Sequence, residues 1–225
     1  MEIYAKIFSN DVLWSCNYLF GFILLYAAWT APWRDFWSNQ PQFSALIGLA
    51  LWLSALWLFP VGVREGLKLH PIGATLCFLM FGWQIAALIL SLILFVSLQH
   101  QGTTLIVIGN IGLWMVILPI LVSKLVLRIF YRYGKPNYFA FVLWNGYFNG
   151  ALSMLVVALV NGWIIMSYGN YSRFTMDNVY FNYIPVICIA EFALTGAFIS
   201  GFAAFLPDTV THFNKDVYFV KHPPG

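Results

Sequence analysis

The sequence predicts an all-α fold: a polytopic, integral membrane helical bundle in one domain, with six hydrophobic segments forming six or seven spans. Three observations carry that prediction. Only 8% of the 225 residues are charged, against about 25% in soluble domains. The mean hydropathy is +0.80. The hydrophobic residues, 61% of the chain, gather into six long runs with short polar stretches between them. Eleven Lys+Arg and eight Asp+Glu cannot coat a water-soluble globule of this size, which excludes a soluble enzyme with one buried core. The abundance of apolar side chains equally excludes a disordered chain.

A helix needs about 20 apolar residues to cross a bilayer. The short N-terminal segment 1–11 mixes Glu2, Lys6 and Asp11 and is followed by no clean cleavage site, so it is expected to persist in the mature chain. Residues 12–30 form the first span, ending at Ala31-Pro32-Trp33-Arg34-Asp35. Residues 44–61 form the second, closed by Pro60 and Gly62. The third run, 71–98, is too long for one upright helix at about 1.5 Å of rise per residue. Gly82-Trp83 near its middle is the place for it to break into two short limbs. Residues 106–127 follow with Pro119 inside, tolerated where neighbours satisfy the freed carbonyl. Residues 138–166 and 180–205 complete the set, and a tail runs over 207–225.

Lys124, Arg128, Arg132 and Lys135 make one distinctly basic loop, which orients that loop and the tail to the cytoplasm. With six spans the N-terminus is also inside, and nine Lys/Arg lie inside against two outside; with seven it is outside, and the count is seven against four. Charge alone therefore favours six, through Lys6, Arg64 and Lys68. Both arrangements place the N-terminus and the 62–70 loop on the same side.

Few polar groups interrupt the apolar runs. His70-Pro71 joins the charged stretch Arg64-Glu65-Gly66-Leu67-Lys68 to the third run; it reads either as an interfacial cap or as a metal ligand, histidine being the commonest one. His100 falls in a polar loop, and His212 and His222 in the tail, all three expected at the surface. Glu191 is the one acid well inside a span, and the cost of exposing it to lipid turns it towards the bundle interior. Asn110, Asn145, Asn149 and Asn161 are further interior amides, and Gly109…Gly112 and Gly146…Gly150 have the spacing of close helix contacts. Cys16, Cys77 and Cys188 share no ligand spacing and read as small core residues. No HExxH, GxSxG or Walker A sequence is present, so neither an enzyme nor a self-powered pump is indicated.

From His70 to Pro207 the order of short motifs resembles the CbiM/NikM family, the substrate-binding membrane components of energy-coupling-factor cobalt and nickel transporters. The motifs are His70-Pro71-Ile72-Gly73-Ala74, Phe81-Gly82-Trp83, His100-Gln101-Gly102-Thr103-Thr104, and Gly109-Asn110 with Pro119 nine residues on. Ile184-Pro185, Glu191 and Thr195-Gly196 complete the series. The resemblance implies an outside N-terminus, a broken third segment and seven spans. It also implies a permease role in an ABC-type transporter, linked in the cobalt branch to cobalamin biosynthesis. The expected partners are cytoplasmic ATPase subunits and a separate transmembrane coupling protein, in the inner (cytoplasmic) membrane. No resident cofactor is implied; Ni(II) or Co(II) would be cargo.

The family's metal site uses the N-terminal amine, a histidine at position 2 and a loop histidine, a planar nitrogen set suited to Ni(II). Met1 and His70 match those positions, whereas position 2 holds Glu2, which offers at most one oxygen and a harder site. The expected site is thus Met1, His70 and Glu2, with Asn110 and Glu191 as interior polar support. The alternative is a non-transporting CbiM-like accessory or assembly protein that has lost metal binding.

Overall fold

Backbone polar groups in lipid must be satisfied within their own segment, so the apolar runs become helices. The computed structural model describes residues 7–58, 62–64, 67–68, 70–134, 137–168 and 173–218. Helix α1 (Asn10–Thr30) stops at Ala31, whose extended backbone (φ −65°, ψ 138°) is what the following Pro32 imposes. A short helix α2 (Trp33–Ser38) turns the chain into α3 (Gln40–Leu58). Two very short strands, Gly62–Arg64 and Leu67–Lys68, pair antiparallel. Then come α4 (Ala74–His100), α5 (Leu105–Tyr133) and α6 (Tyr138–Tyr168). A short α7 (Arg173–Val179) leads through a 3-10 turn at Phe181–Tyr183 to α8 (Ile184–Phe205), and α9 (Lys215–Tyr218) follows in the tail. Six of these helical segments are long and apolar enough to cross a membrane.

The third run is broken at Gly82. Gly82 has φ 79° and ψ 167°, so α4 consists of two helical limbs, 74–81 and 83–100, meeting at a non-helical residue. That backbone region is essentially open to glycine alone. Hydrogen bonds locate the limb ends. The Trp57 indole, near the end of α3, donates to the Ile72 carbonyl, while Gln42 near the start of α3 donates to the Met80 carbonyl. Ser97 donates back to the Trp57 carbonyl, and Gln84 to the Thr30 carbonyl at the end of α1. The chain descends through 74–81, reverses at Gly82 and returns through 83–100. The first limb has eight residues and spans only about 12 Å. It is a half-helix, so the six segments long and apolar enough to cross a membrane make seven traverses of the bundle; the preference of the charge count for six rested on three residues, Lys6, Arg64 and Lys68.

The half-helix sits in the centre. Of the most apolar stretch of α4, 61% is buried, against 17% for α1, which lies at the edge. α1 presents Leu13, Phe20 and Ala27 to its neighbours and leaves Tyr18, Phe22, Leu25 and Trp29 exposed, as a lipid-facing helix does. Close contacts fix it: a Cβ at Gly109 would lie 2.5 Å from Asn17. Asn17 itself accepts from the Gly109 amide and donates to the Ile106 carbonyl. On the other side α6 and α8 meet through Gly196, where a Cβ would lie 2.1 Å from the Tyr147 ring. In α5 a π turn at Leu113–Ile117 ends two residues before Pro119, a wide turn that accommodates the missing amide of the proline. Asn110, Asn145, Asn149 and Asn161 are all buried, and the three cysteines are unpaired.

The bundle therefore has a loop face, carrying the two short strands, the 70–73 turn and the 101–104 turn, and a tail face, carrying α2, the end of α5, the start of α6 and the segment 207–218. Phe8 meets Tyr168 on the loop face, so the N-terminal end of α1 and the 70–73 turn share a side.

Candidate metal centre

His70 enters the bundle because Pro71 forbids helix before it and Gly73 starts one immediately after. Gly73 is left-handed (φ 71°, ψ 13°), and a Cβ there would lie 2.4 Å from Leu53. A residue with a side chain would meet both strain and a clash at that position. The result is a tight inward turn, 70–73, on top of the half-helix.

Glu191 holds this turn. Its carboxylate accepts from the Ile72 amide at 2.8 Å and from the Gly73 amide at 3.0 Å, and the Thr195 hydroxyl donates to it at 3.4 Å. The residue is 1% exposed. Among the described residues no cation pairs with it, so its compensation is the amide pair together with the positive end of the half-helix that begins at Ala74. A carboxylate from α8 thereby closes the N-terminus of a helix on α4. Below it, Thr75 shares short hydroxyl bonds with Ser123 (2.8 Å) and Ser153 (2.6 Å), tying the half-helix to α5 and α6. Its other end is closed by the tail: the Leu79 carbonyl accepts from the His212 amide, and the Met80 carbonyl from the amide and hydroxyl of Thr211 and from Gln42. Both ends of a buried helix need such partners.

The His70 ring is 4% exposed and lies 4.9 Å from the Trp57 ring, centroid to centroid. Its Nδ1 is 3.1 Å from the Pro71 carbonyl; a carbonyl only accepts, so Nδ1 carries the proton and donates. Nε2 then bears the lone pair, and among the described residues it is buried with no hydrogen-bond partner. Burial pushes the imidazole below its ordinary 6.5, against a smaller upward pull from the Pro71 carbonyl. The side chain is thus a neutral imidazole in a fixed tautomer, presenting Nε2. Metal-ligating histidines have this arrangement, the second nitrogen being held by a backbone carbonyl or carboxylate.

Of the other expected site residues, Met1 and Glu2 lie outside the described residues, as does His222. Asn110 is buried at the α1–α5 contact, where its amide nitrogen is 3.7 Å from the Cys16 sulfur; among the described residues it shares no partner with Glu191. Among the described residues no three His, Cys, Asp or Glu side chains converge as a metal ion would require. His100 is exposed, as expected. His212 is half-buried rather than solvated: its ring packs on Phe78 at 4.8 Å and its Nε2 is buried, because the tail folds back to complete the half-helix. Trp57, Gln42 and Thr211 were missed by sequence reasoning, for they look like any other interfacial residue.

The sequence profile of the CbiM family, described as a cobalt uptake substrate-specific transmembrane region, matches residues 2–209. The match is wider than the motifs from His70 onward and takes in the first two spans. No curated protein matches the chain. Among solved structures, one described as a truncated transition metal transporter is similar, with a TM-score of 0.64 and 17% identity, over 92% of this chain and 99% of its own. At that identity the likeness shows the fold, seen here as a multi-pass helical bundle with a half-helix at its centre. The chain belongs to the CbiM family.

Proposed function

We propose that this protein is the substrate-binding membrane component of an energy-coupling-factor type transporter for a transition metal ion, Ni(II) or Co(II). The observation that carries the reading is His70: a buried neutral imidazole whose Nδ1 is held by a backbone carbonyl and whose Nε2 has no partner among the described residues. An acceptor left so costs about 1–3 kcal/mol, a cost that a bound cation would remove. Glu191 supports the site by fixing the 70–73 turn on the half-helix. The Met1 amine, and an oxygen from Glu2, would complete the set; the reading is supported by Phe8, a few residues on, which lies on the loop face with His70. Asn110 steadies α1 on α5 and acts only through that packing. Among the described residues Arg34, Lys124, Arg128, Arg132 and Lys215 lie on the tail side and Arg64, Lys68 and Arg173 on the loop side, which supports a cytoplasmic tail and an outward metal site. Cytoplasmic ATPase subunits and a transmembrane coupling protein would then supply the energy, in the cytoplasmic membrane.

The reading is tested by calorimetric titration of the purified chain with Ni(II), Co(II), Cu(II) and Zn(II). Binding that weakens at least about tenfold in His70→Ala supports it, and Glu2→His is expected to tighten Ni(II) by restoring a nitrogen ligand. A second reading, a CbiM-like accessory protein without metal binding, is favoured by Glu2 at a position where the family keeps a histidine. Absence of any binding tighter than about 100 μM, in wild type and Glu2→His alike, selects that reading.

A further inference from the structure

The tail face carries a cleft that the metal reading does not use. It encloses about 330 Å³ between the turn at Gly82, helix α5 and the returning tail. Lys124 and Arg128, one helical turn apart on α5 and both exposed, line it. Among the described residues neither pairs with a carboxylate, the ion pair on this face being Lys215 with Asp208 at 3.0 Å. Lys124 stands over the Trp83 ring, 5.5 Å from its centroid. Tyr131 closes the rim by donating to the His212 carbonyl at 2.9 Å. The buried Nε2 of His212 has no partner among the described residues, and its imidazole is pushed down to about 4 by burial and by the nearby Lys124 charge. Gly82, Trp83 and Gln84 open the 83–100 limb at the cleft wall, so the positive end of an 18-residue helix adds to the two cations. The rest of the wall is apolar, with Phe78, Phe81 and Leu127.

The level of the cleft in the membrane identifies its occupant. The Gln84 side chain reaches the carbonyl of Thr30, the last residue of α1, which puts the cleft where the first span ends. Exposed Trp29, Trp33, Trp37, Tyr131 and Tyr133 lie on the same face, the aromatic belt that marks the headgroup layer. Two unpaired cations over an apolar wall at headgroup depth match a phosphodiester with an acyl chain attached.

We infer that this cleft is a binding site for an anionic phospholipid, with Lys124 and Arg128 holding the phosphate, Trp83 and Tyr131 flanking it, and an acyl chain lying along the Phe78–Leu127 wall. The site rests on none of the metal-site residues. The test uses the full chain in neutral detergent, with dioleoylphosphatidylglycerol and dioleoylphosphatidylcholine offered in equal amounts and retained lipid counted by native mass spectrometry. Wild type retains one phosphatidylglycerol in preference to phosphatidylcholine. Lys124→Gln/Arg128→Gln lowers that retention about tenfold or more, Lys124→Arg keeps it, and Arg132→Gln/Lys215→Gln, with the same charge removed outside the cleft, keeps it too. Both cleft residues are exposed, so the double variant is expected to melt as wild type does. Equal retention of the two lipids, or an equal loss in both double variants, overturns the inference. So does displacement of the lipid by excess inorganic phosphate or by an acidic peptide, either of which would assign the cations to a soluble anion or a protein partner.

Discussion

The carboxylate of Glu191 takes up the amide hydrogens of Ile72 and Gly73 at 2.8 and 3.0 Å inside a bundle where water offers no substitute. Glu191→Ala leaves two buried donors unsatisfied, an expected loss of about 2–4 kcal/mol. Glu191→Gln keeps one acceptor oxygen and is expected to lose about half as much. Thermal unfolding of the purified variants in one detergent measures both, and equal stability of all three proteins would show that the turn is held elsewhere. Glu191 was legible in the sequence because a lone acid within an apolar run admits few explanations. Trp57 was not: it is one of ten tryptophans, and nothing in its neighbours signals that its indole meets the Ile72 carbonyl and faces His70. His212 misled for a related reason, because a histidine in a polar tail looks solvated until the tail is seen to lie against Leu79 and Met80.

At the scale of elements, the half-helix 74–81 is the part of the fold that hydropathy describes least well. Hydropathy sees one apolar run of ordinary composition from 71 to 98, and its only punctuation is Gly82-Trp83, which marks the break without saying how sharply the chain turns. The direction of the second limb depends on partners far away in sequence, Thr30 for Gln84 and Trp57 for Ser97. Gly82→Ala is expected to cost about 1–3 kcal/mol, since it forces a side chain onto φ 79° and ψ 167°. The loss comes from backbone conformation, for a Cβ there meets nothing closer than 3.7 Å. Gly21→Ala is the control: a Cβ at Gly21 meets nothing within 4 Å, and in an ordinary helix interior it is expected to stabilise by up to about 1 kcal/mol. Denaturation midpoints of the two variants should move in opposite directions.

For the whole molecule, a hairpin in the third segment gives an odd number of traverses and puts the start of α1 and the segment 207–218 on opposite faces of the bundle. Reporter domains fused to the two ends, one active only in the cytoplasm and one only outside it, are expected to report opposite sides. The same side for both would require 74–100 to cross as a single helix. The spans and the basic side of the bundle were legible because they depend on composition, which is local. The count of passes depended on the hairpin, and the charge asymmetry that argued for six came down to three side chains.

The long-range bonds at the half-helix also set an order of events. The amino end of 74–81 needs Glu191, 119 positions beyond Ile72, and its carboxyl end needs Thr211, 131 positions beyond Met80. Neither partner exists when residues 74–81 leave the ribosome. The centre of the mature protein is therefore among the last parts to be fixed in place during synthesis. Until α8 and the tail have emerged, the seat of the 70–73 turn is unfinished, and with it the platform on which His70 stands.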